Sequence, residues 1–183
     1  MHRRPLLDLL AAYTPFGDDD RAARDRIRAF VETNQRCFER SLTSGHVTAS
    51  TWIVSRDRTL ALLTHHRKLG RWLQLGGHTD GDADVLRSAC REAREESGLR
   101  SLAVLDAAIF DCDVHPIPAR GDEPEHFHHD VRFLLEADET EPLIVSEESH
   151  ALAWVPLGRI DAHESDASVM RMVHKTLLRF RTR

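Results

Sequence analysis

The chain has 183 residues, of which 41% are hydrophobic and 30% charged, as is typical of one soluble globular domain with a hydrophobic core. The formal net charge of −5 and the absence of a long basic run argue against nucleic-acid binding, and no apolar run is long enough for a membrane span. The three cysteines are widely spaced, which excludes a disulfide framework and a zinc finger and favours a reducing cytoplasmic location.

The first 44 residues predict a helical extension in front of the main domain. The leucines between Leu6 and Leu10 fit a short amphipathic helix, because an aspartate interrupts them and acidic residues follow where a signal peptide would carry a cleavage site. A second helix is expected after the acidic run at 18–20, with an apolar stripe as far as Leu42. These two helices offer a surface for a homodimer contact.

From His46 onward the hydrophobic pattern alternates as in strands, and glycine, proline and aspartate mark the turns between them. The first two strands are expected to form a hairpin. A turn is expected at GGHTDG, residues 76–81, and a polar loop at ARGDEPEH, residues 119–126. The predicted strands span residues 46–55, 59–66, 71–75, 102–118, 126–137 and 152–157.

Two further helices are expected within the main domain. The first runs from about Ala83 to Ser97, with Asp82 as its N-cap and Gly98 just after its end. The second closes the chain at 165–180. Mixed strands around one central acidic helix, with helices at both ends, predict an α/β domain over residues 45–183.

The central helix carries three glutamates on one face. Glu92 precedes Glu95 by three residues and Glu96 by four, and side chains at these spacings are neighbours on a helix. Uncompensated carboxylates repel one another, whereas a hard divalent ion such as Mg²⁺ or Mn²⁺ would be coordinated by their oxygens. The alternative is a charged surface helix on which Arg91 and Arg94 screen the glutamates.

A wider pattern resembles the Nudix box, in which a glycine and a glutamate precede R-E-apolar-x-E-E-x-G-apolar at fixed offsets. Gly77 and the sequence REAREESGL at 91–99 match those positions. The flanking strands and the last helix extend the resemblance over residues 46–180. The resemblance implies a Nudix-type fold, in which a mixed sheet is sandwiched between helices.

One position departs from the motif. The first glutamate of the box is Ala83 in this chain. In the family that glutamate is mainly a structural partner near the arginine, so its loss leaves the three later glutamates intact. Arg91 then needs another partner, for which Asp84 and Glu95 are the candidates.

The resemblance implies a divalent-metal-dependent pyrophosphohydrolase. Such an enzyme cleaves a diphosphate linkage of a nucleoside diphosphate derivative, or a related small-molecule pyrophosphate, by attack of water at phosphorus with Mg²⁺ or Mn²⁺ as cofactor. The ion would be held by the catalytic glutamates and one glycine carbonyl of the box, namely Glu92, Glu95, Glu96 and Gly77. A general base is also needed, and Glu96, Glu147 and Glu148 are the candidates.

Histidines outside the box form a second candidate site. Four polar residues of the strand at 126–137 share one face, while the aromatic and aliphatic residues between them face the core. These four residues are His126, His128, Asp130 and Arg132. His46 and His78 could join the H-x-H-x-D ladder as metal ligands. For each histidine taken alone, a hydrogen bond to substrate or partial exposure is the competing interpretation.

The same histidines are similar to a metal site of isopentenyl-diphosphate isomerase, which shares the Nudix fold and binds its metal through histidines and two glutamates. The similarity implies a second metal site made by His46, His78, His128 and Asp130. The essential cysteine of the isomerase would fall at Gly76, so the same isomerisation chemistry is disfavoured.

Contacts with substrate phosphates have four candidates in the sequence, which are Lys68, Arg71, Arg132 and His126. For the three cations, ordinary surface charge is the alternative. Two other functions stay open: an isomerase-like enzyme and a non-catalytic module that binds a nucleotide metabolite. Neither a nucleic acid nor a membrane is an expected partner.

Overall fold

The structure is a computed structural model that describes residues 2–121, 123–147, 149–163 and 165–180. In these ranges the α-helices are α1 (Arg4–Ala12), α2 (Asp18–Thr33), α3 (Val85–Ser97) and α4 (Ala167–Arg179), and a 3₁₀ helix spans Leu157–His163. The strands are β1 (Gly45–Ser55), β2 (Leu60–His66), β3 (Arg71–Leu73), β4 (Leu75–His78), β5 (Ala103–Val104), β6 (Asp111–Ile117), β7 (His126–Ala137) and β8 (Ser149–Pro156).

These strands form one mixed sheet with β1 and β7 at its centre. The two central strands are parallel and stay in register from the pair Gly45–Phe127 to the pair Ser55–Ala137. On its other side, β1 pairs with β4 near its start and with β2 near its end. β7 is flanked in the same way by β6 and β5. The starts of β1 and β7 and the end of β4 therefore meet at one edge of the sheet.

The two faces of the sheet bury separate apolar clusters, because successive residues of a strand point to opposite sides. On one face, α1, α2 and α3 cover residues such as Val47 and Val131. On the other face, α4 and the 3₁₀ helix cover Trp52 and Leu134, and the indole N–H of Trp52 donates a hydrogen bond to Thr176 at 2.8 Å. The sheet is sandwiched between helices, which confirms the predicted fold class.

Buried charges tie the N-terminal helices to the rest of the molecule. Asp20, on α2, has no exposed surface and accepts hydrogen bonds from the Tyr13 hydroxyl at 2.6 Å and from the ammonium of Lys175 at 2.6 Å. Lys175, on α4, also donates to Asp111 on β6 at 2.5 Å. Burial and the neighbouring carboxylate of Asp20 raise the pKa of Tyr13. The extension thus shares both apolar core and charge pairing with the sheet domain.

The second helix is shorter than its apolar stripe suggested. α2 ends at Thr33, and Phe38, which continued the predicted stripe, is buried in a turn together with Cys37. The carbonyl oxygen of Cys37 accepts from the N–H of Val47 at 2.7 Å, so the turn bonds directly to β1. The apolar pattern therefore predicted the burial of Phe38 correctly, but it overestimated the length of the helix.

Two predicted loop and strand boundaries were also wrong. The expected strand at 102–118 is divided into β5 and β6 by irregular backbone at 105–110. The carboxylate of Asp106 accepts from the N–H of Ala108 at 2.9 Å, a local turn that interrupts the extended backbone. Conversely, the turn expected at 76–81 begins with three residues of β4, because these residues pair with β1.

The N-cap of the central helix is Asp84 rather than Asp82. The carboxylate of Asp84 accepts from the N–H of Arg87 at 3.0 Å, whereas Asp82 forms an ion pair with the Arg87 guanidinium at 2.6 Å. Gly98 follows the helix with a φ of +72°, as expected for a left-handed position after a helix end.

The described cysteines form no disulfide bond, and the described helices do not resemble membrane spans. Cys37, Cys90 and Cys112 are buried free thiols, and burial raises the pKa of Cys37 to about 11. In the described ranges, the helices lack the combination of length and apolar character that crossing a bilayer requires.

Candidate functional site

Two glycines at the end of β4 bring the glutamates of α3 against the sheet. A β-carbon on Gly77 would lie 2.5 Å from Oε2 of Glu92, so residue 77 must be glycine for this carboxylate to stay where it is. Oε2 of Glu96 accepts a hydrogen bond from the N–H of Gly76 at 2.9 Å. Glu96 is 7% exposed, and the side chain of Glu92 is 16% exposed. Both carboxylates therefore lie close to backbone in a largely buried position.

Glu95, the third glutamate on this face of α3, is exposed, unlike Glu92 and Glu96. The Glu95 side chain is 59% exposed and contacts Arg91 at 3.2 Å. Arg91 also pairs with Glu92 at 2.6 Å and donates to the carbonyl oxygen of His78 at 2.8 Å. Arg91 therefore found a partner in Glu95, one of the two candidates, while Asp84 serves as the helix cap.

The donor chemistry of the three glutamates fits a hard divalent ion, because carboxylate oxygens in a negatively charged group are the ligands that Mg²⁺ and Mn²⁺ prefer. Their present geometry is more open than the sequence suggested. Across the described residues, the three do not supply oxygens that all lie within 4.8 Å of one another. Arg91 separates them, since its guanidinium bridges Glu92 and Glu95. An ion shared by all three would have to displace part of this ion pairing.

The loop with the proposed general bases is attached to the end of α3. The N–H of Ile144 donates to the carbonyl oxygen of Ser97 at 2.8 Å, and a β-carbon on Gly98 would lie 2.7 Å from the Ile144 side chain. Glu147, three residues further on, is exposed. Glu148 lies outside the described residues. The structure thus places one of these two candidates on a loop that starts beside the glutamate helix.

Three histidines meet on the opposite face of β4. One ring nitrogen from each of His46, His78 and His128 lies within 4.8 Å of the other two. The sheet register explains the meeting: His46 on β1 pairs with His128 on β7, and His78 on β4 pairs with Thr48, two residues along β1. This part of the predicted ladder comes together in space.

Burial favours the neutral imidazole at His46 and His128. His46 is 1% exposed, and neither of its ring nitrogens has a hydrogen-bond partner. Burial, followed by the nearby charges of His78 and His126, lowers the pKa of His46 to about 4. Burial likewise lowers the pKa of His128 to about 2, with neighbouring histidines adding to the effect. Neutral imidazole has a nitrogen lone pair, which is the form that binds a metal.

Two more histidines adjoin the three. The His126 ring is 5.0 Å from that of His46 and 5.3 Å from that of His128, and the His115 ring is 5.5 Å from that of His128. His126 is 4% exposed, so it lies in the histidine group rather than on an open phosphate-binding surface. Sequence reasoning missed His115. Asp111, Asp113 and His115 follow one another at two-residue steps, which places all three on one face of a strand. In the sheet they pair with Arg132, Asp130 and His128 of β7.

Asp130 does not join the histidines as a ligand. Its carboxylate accepts hydrogen bonds from Thr48 at 3.0 Å, from Ser50 at 2.8 Å and from the guanidinium of Arg132 at 2.7 Å. In the described residues, the group of close potential metal ligands contains histidines alone. The carboxylate expected as the fourth ligand is instead a hydrogen-bond acceptor further along the sheet.

Arg132 is also placed differently from the expectation of a phosphate contact. It is 1% exposed and forms ion pairs with Asp130, Asp111 and Asp113 at 2.7 Å, 3.2 Å and 3.3 Å. A buried guanidinium needs such partners, because removing its charge from water is costly. We therefore withdraw Arg132 as a substrate contact. Lys68 and Arg71 are exposed at the β2–β3 turn and stay predictions.

Comparison with known proteins identifies the domain. A family model described as the NUDIX domain matches residues 45–174. A search of curated protein sequences gives no match. Among solved structures, a C. elegans Ap4A hydrolase binary complex is similar at 18% identity, with a TM-score of 0.57 over 70% of this chain and 93% of that one.

Two further structures show the same fold. The E. coli dihydroneopterin triphosphate pyrophosphohydrolase is 14% identical, with a TM-score of 0.56 over 73% of this chain and 95% of that one. The NUDIX domain of Shewanella oneidensis NrtR, complexed with ADP ribose, is 12% identical, with a TM-score of 0.51 over 82% of this chain and 96% of that one. The family match covers most of the chain and includes the glutamate helix and the two glycines beside it, so this protein belongs to the Nudix family.

Proposed function

We propose that the protein is a divalent-metal-dependent hydrolase that cleaves a diphosphate linkage by attack of water at phosphorus. The observation that carries this proposal is the close approach of Glu92 to Gly77 and of Glu96 to the Gly76 N–H within a Nudix domain. Mg²⁺ or Mn²⁺ is the proposed cofactor, with Glu92, Glu95, Glu96 and the carbonyl of Gly77 as its ligands.

The side chains prepare the site in different ways. The backbone of β4 positions Glu92 and Glu96, so little conformational entropy is lost when they bind a ligand. Arg91 pairs with the exposed Glu95 and attaches α3 to β4 through the His78 carbonyl. A bound divalent ion would neutralise the negative charge of the diphosphate and orient the attacking water.

The general base has three candidates. Glu96 lies in the site, where its carboxylate accepts a hydrogen bond from the Gly76 N–H. Glu147 lies on the loop that bonds to the end of α3, and Glu148 follows it. We propose that the base is one of these three, and separate substitutions to glutamine distinguish them.

The substrate class that we propose is a nucleoside diphosphate derivative or a related small-molecule pyrophosphate. Similar structures carry titles that name an Ap4A hydrolase, a dihydroneopterin triphosphate pyrophosphohydrolase and a complex with ADP ribose. Lys68 and Arg71 are the proposed phosphate contacts. A small molecule, rather than a nucleic acid or a membrane, is the proposed partner, and we place the protein in the cytoplasm because its cysteines are free.

Two other functions are weaker candidates. A non-catalytic module that binds a nucleotide metabolite is suggested by the ADP-ribose complex of the NrtR domain. An isomerase-like enzyme is disfavoured, because Gly76 offers no side chain where the isomerase has its essential cysteine. A homodimer through the N-terminal helices stays a prediction that light scattering tests.

A substrate panel in ¹⁸O-labelled water tests the proposed function. The purified protein is incubated with Mg²⁺ or Mn²⁺ and with ADP-ribose, Ap4A and related nucleotides, and the products are analysed by mass spectrometry. We expect ¹⁸O in a phosphoryl product, and turnover reduced at least about 100-fold in Glu96→Gln. Glu32→Gln, an exposed glutamate on α2, is the matched control. Tight nucleotide binding without hydrolysis would favour the non-catalytic module.

A further inference from the structure

We propose that His46, His78 and His128 form a second metal site that binds a transition-metal ion of the Zn²⁺ type, separate from the glutamate site for Mg²⁺ or Mn²⁺. The two sites lie on opposite faces of β4, since Gly77 faces Glu92 and the next residue, His78, faces the histidines. The proposal does not depend on hydrolase activity.

The geometry of the three strands brings the ligands within reach of one ion. Two nitrogens that bind one tetrahedral Zn²⁺ at about 2.05 Å are about 3.4 Å apart. The three histidine nitrogens already lie within 4.8 Å of one another. Side-chain rotation that shifts each ring nitrogen by about 1 Å brings the three nitrogens to the distance that zinc requires, without moving the backbone. The β1–β7 and β1–β4 pairings hold that backbone in place.

The energetics of His46 point to a ligand. Both of its ring nitrogens are buried and lack a hydrogen-bond partner. A buried polar atom without a hydrogen bond is unfavourable, because it has given up water and gained no partner in exchange. A metal bond to one nitrogen removes part of this cost.

The type of donor selects the ion. The three donors are neutral nitrogens, and imidazole prefers Zn²⁺, Ni²⁺, Co²⁺ or Cu²⁺ to Mg²⁺. The nearest carboxylate predicted as a ligand, Asp130, is held by Thr48, Ser50 and Arg132. A group without an oxygen donor offers little to Mg²⁺.

Two neighbouring histidines complete the surroundings. Nδ1 of His115 is 2.9 Å from the Asp113 carboxylate, and Nδ1 of His126 is 2.9 Å from the carbonyl oxygen of Pro124. Each acceptor fixes the proton on Nδ1 and leaves Nε2 with its lone pair. The Nε2 atom of His126 is buried without a hydrogen-bond partner. Three protein ligands leave one coordination position, which either of these rings, a water or a substrate oxygen can take.

Zinc titration of the 183-residue chain tests the histidine site. Chelator-treated protein is titrated with Zn²⁺ by calorimetry in excess Mg²⁺, and X-ray absorption then identifies the ligands. We expect about one Zn²⁺ per chain, with nitrogen ligands at about 2.0–2.1 Å. His78→Gln and His128→Asn should each weaken binding at least about 100-fold, whereas the exposed His174→Gln should not.

The outcomes separate the two proposals. Failure of the wild-type protein to bind Zn²⁺, or equal affinity in His78→Gln, His128→Asn and the wild type, would overturn the histidine site. If a variant is poorly folded, X-ray absorption of the Zn²⁺-loaded wild-type protein decides, because the histidines supply nitrogen ligands and the glutamates supply oxygen ligands alone. Glu95→Gln should keep its Zn²⁺ while losing hydrolysis, so failure of one site is distinguishable from failure of the other.

Discussion

Glu92 lies against the backbone of Gly77, so closely that a β-carbon on residue 77 would be 2.5 Å from its Oε2 atom. Gly76, the preceding residue, faces the other way, and a β-carbon there would be 2.4 Å from the Cα of Ser50. The two glycines therefore have different roles. One leaves space for a flexible carboxylate, and the other leaves space for the backbone of β1.

Gly77→Ala should impair activity more than stability. The new methyl group meets the end of a flexible side chain, so Glu92 moves away and the fold is kept. We expect kcat/KM to fall at least about 10-fold, and the free energy of unfolding to change by less than about 1 kcal/mol. Enzyme kinetics and urea denaturation measure the two effects. Gly158→Ala is the control, because its β-carbon would meet nothing within 4 Å.

Gly76→Ala should impair stability instead. Residue 76 has a φ of +153°, and its β-carbon would meet backbone that cannot move without disturbing the β1–β4 pairing. We expect a loss of at least about 2 kcal/mol in the free energy of unfolding. Urea denaturation measures it. A loss no larger than that of Gly77→Ala would contradict the different roles of the two glycines.

Lys175→Met should destabilise the protein strongly. Lys175 lies between Asp20 and Asp111, which have no exposed surface. Its removal leaves the buried carboxylate of Asp20 without the cation it pairs with, whereas Asp111 keeps its ion pairs with Arg132 and Arg171. Breaking a buried pair in this way costs about 3–5 kcal/mol. Thermal unfolding gives the measurement. Arg179→Ala, which removes an exposed ion pair to Asp106, should cost less than about 1 kcal/mol, and similar losses in both variants would count against the account.

Leu10→Ala tests whether the N-terminal extension unfolds together with the domain. Leu10, on α1, has no exposed surface and belongs to the same apolar cluster as Val131 on β7. We expect a single unfolding transition and a loss of about 2–5 kcal/mol. The half-exposed Leu177→Ala is the control and should change stability little. A separate early transition for the N-terminal helices would show that they are an independent unit.

Local patterns predicted much of the fold. β7 has the predicted bounds 126–137, because polar and apolar residues largely alternate along it. Its neighbours in the sheet, β1 and β6, come from other parts of the chain. The central helix ends at Ser97 as expected, since Gly98 adopts the left-handed conformation. In both cases the signal lies within a few residues of the element that it describes.

Contacts between distant residues were less predictable. Asp130 and Arg132 share the face of His128, as predicted, but their neighbours come from β1 and β6, and those neighbours decide their roles. The pairing with β6 places Asp113 and Asp111 beside them, which favours ion pairs with Arg132. The same pairing places His115 next to His128. Strand register, which a single strand does not encode, sets all of these contacts.

A titration with Mn²⁺ is the sharpest test of whether the glutamates of α3 hold a divalent ion. Electron paramagnetic resonance measures free Mn²⁺ during titration of the wild-type protein and of the double variant Glu92→Gln, Glu96→Gln, both supplied with one equivalent of Zn²⁺ to occupy the histidines. The account predicts that the double variant binds Mn²⁺ at least about 100-fold more weakly, since each tenfold corresponds to about 1.4 kcal/mol. Equal Mn²⁺ affinity in the two proteins would contradict the proposal that these glutamates hold the divalent ion.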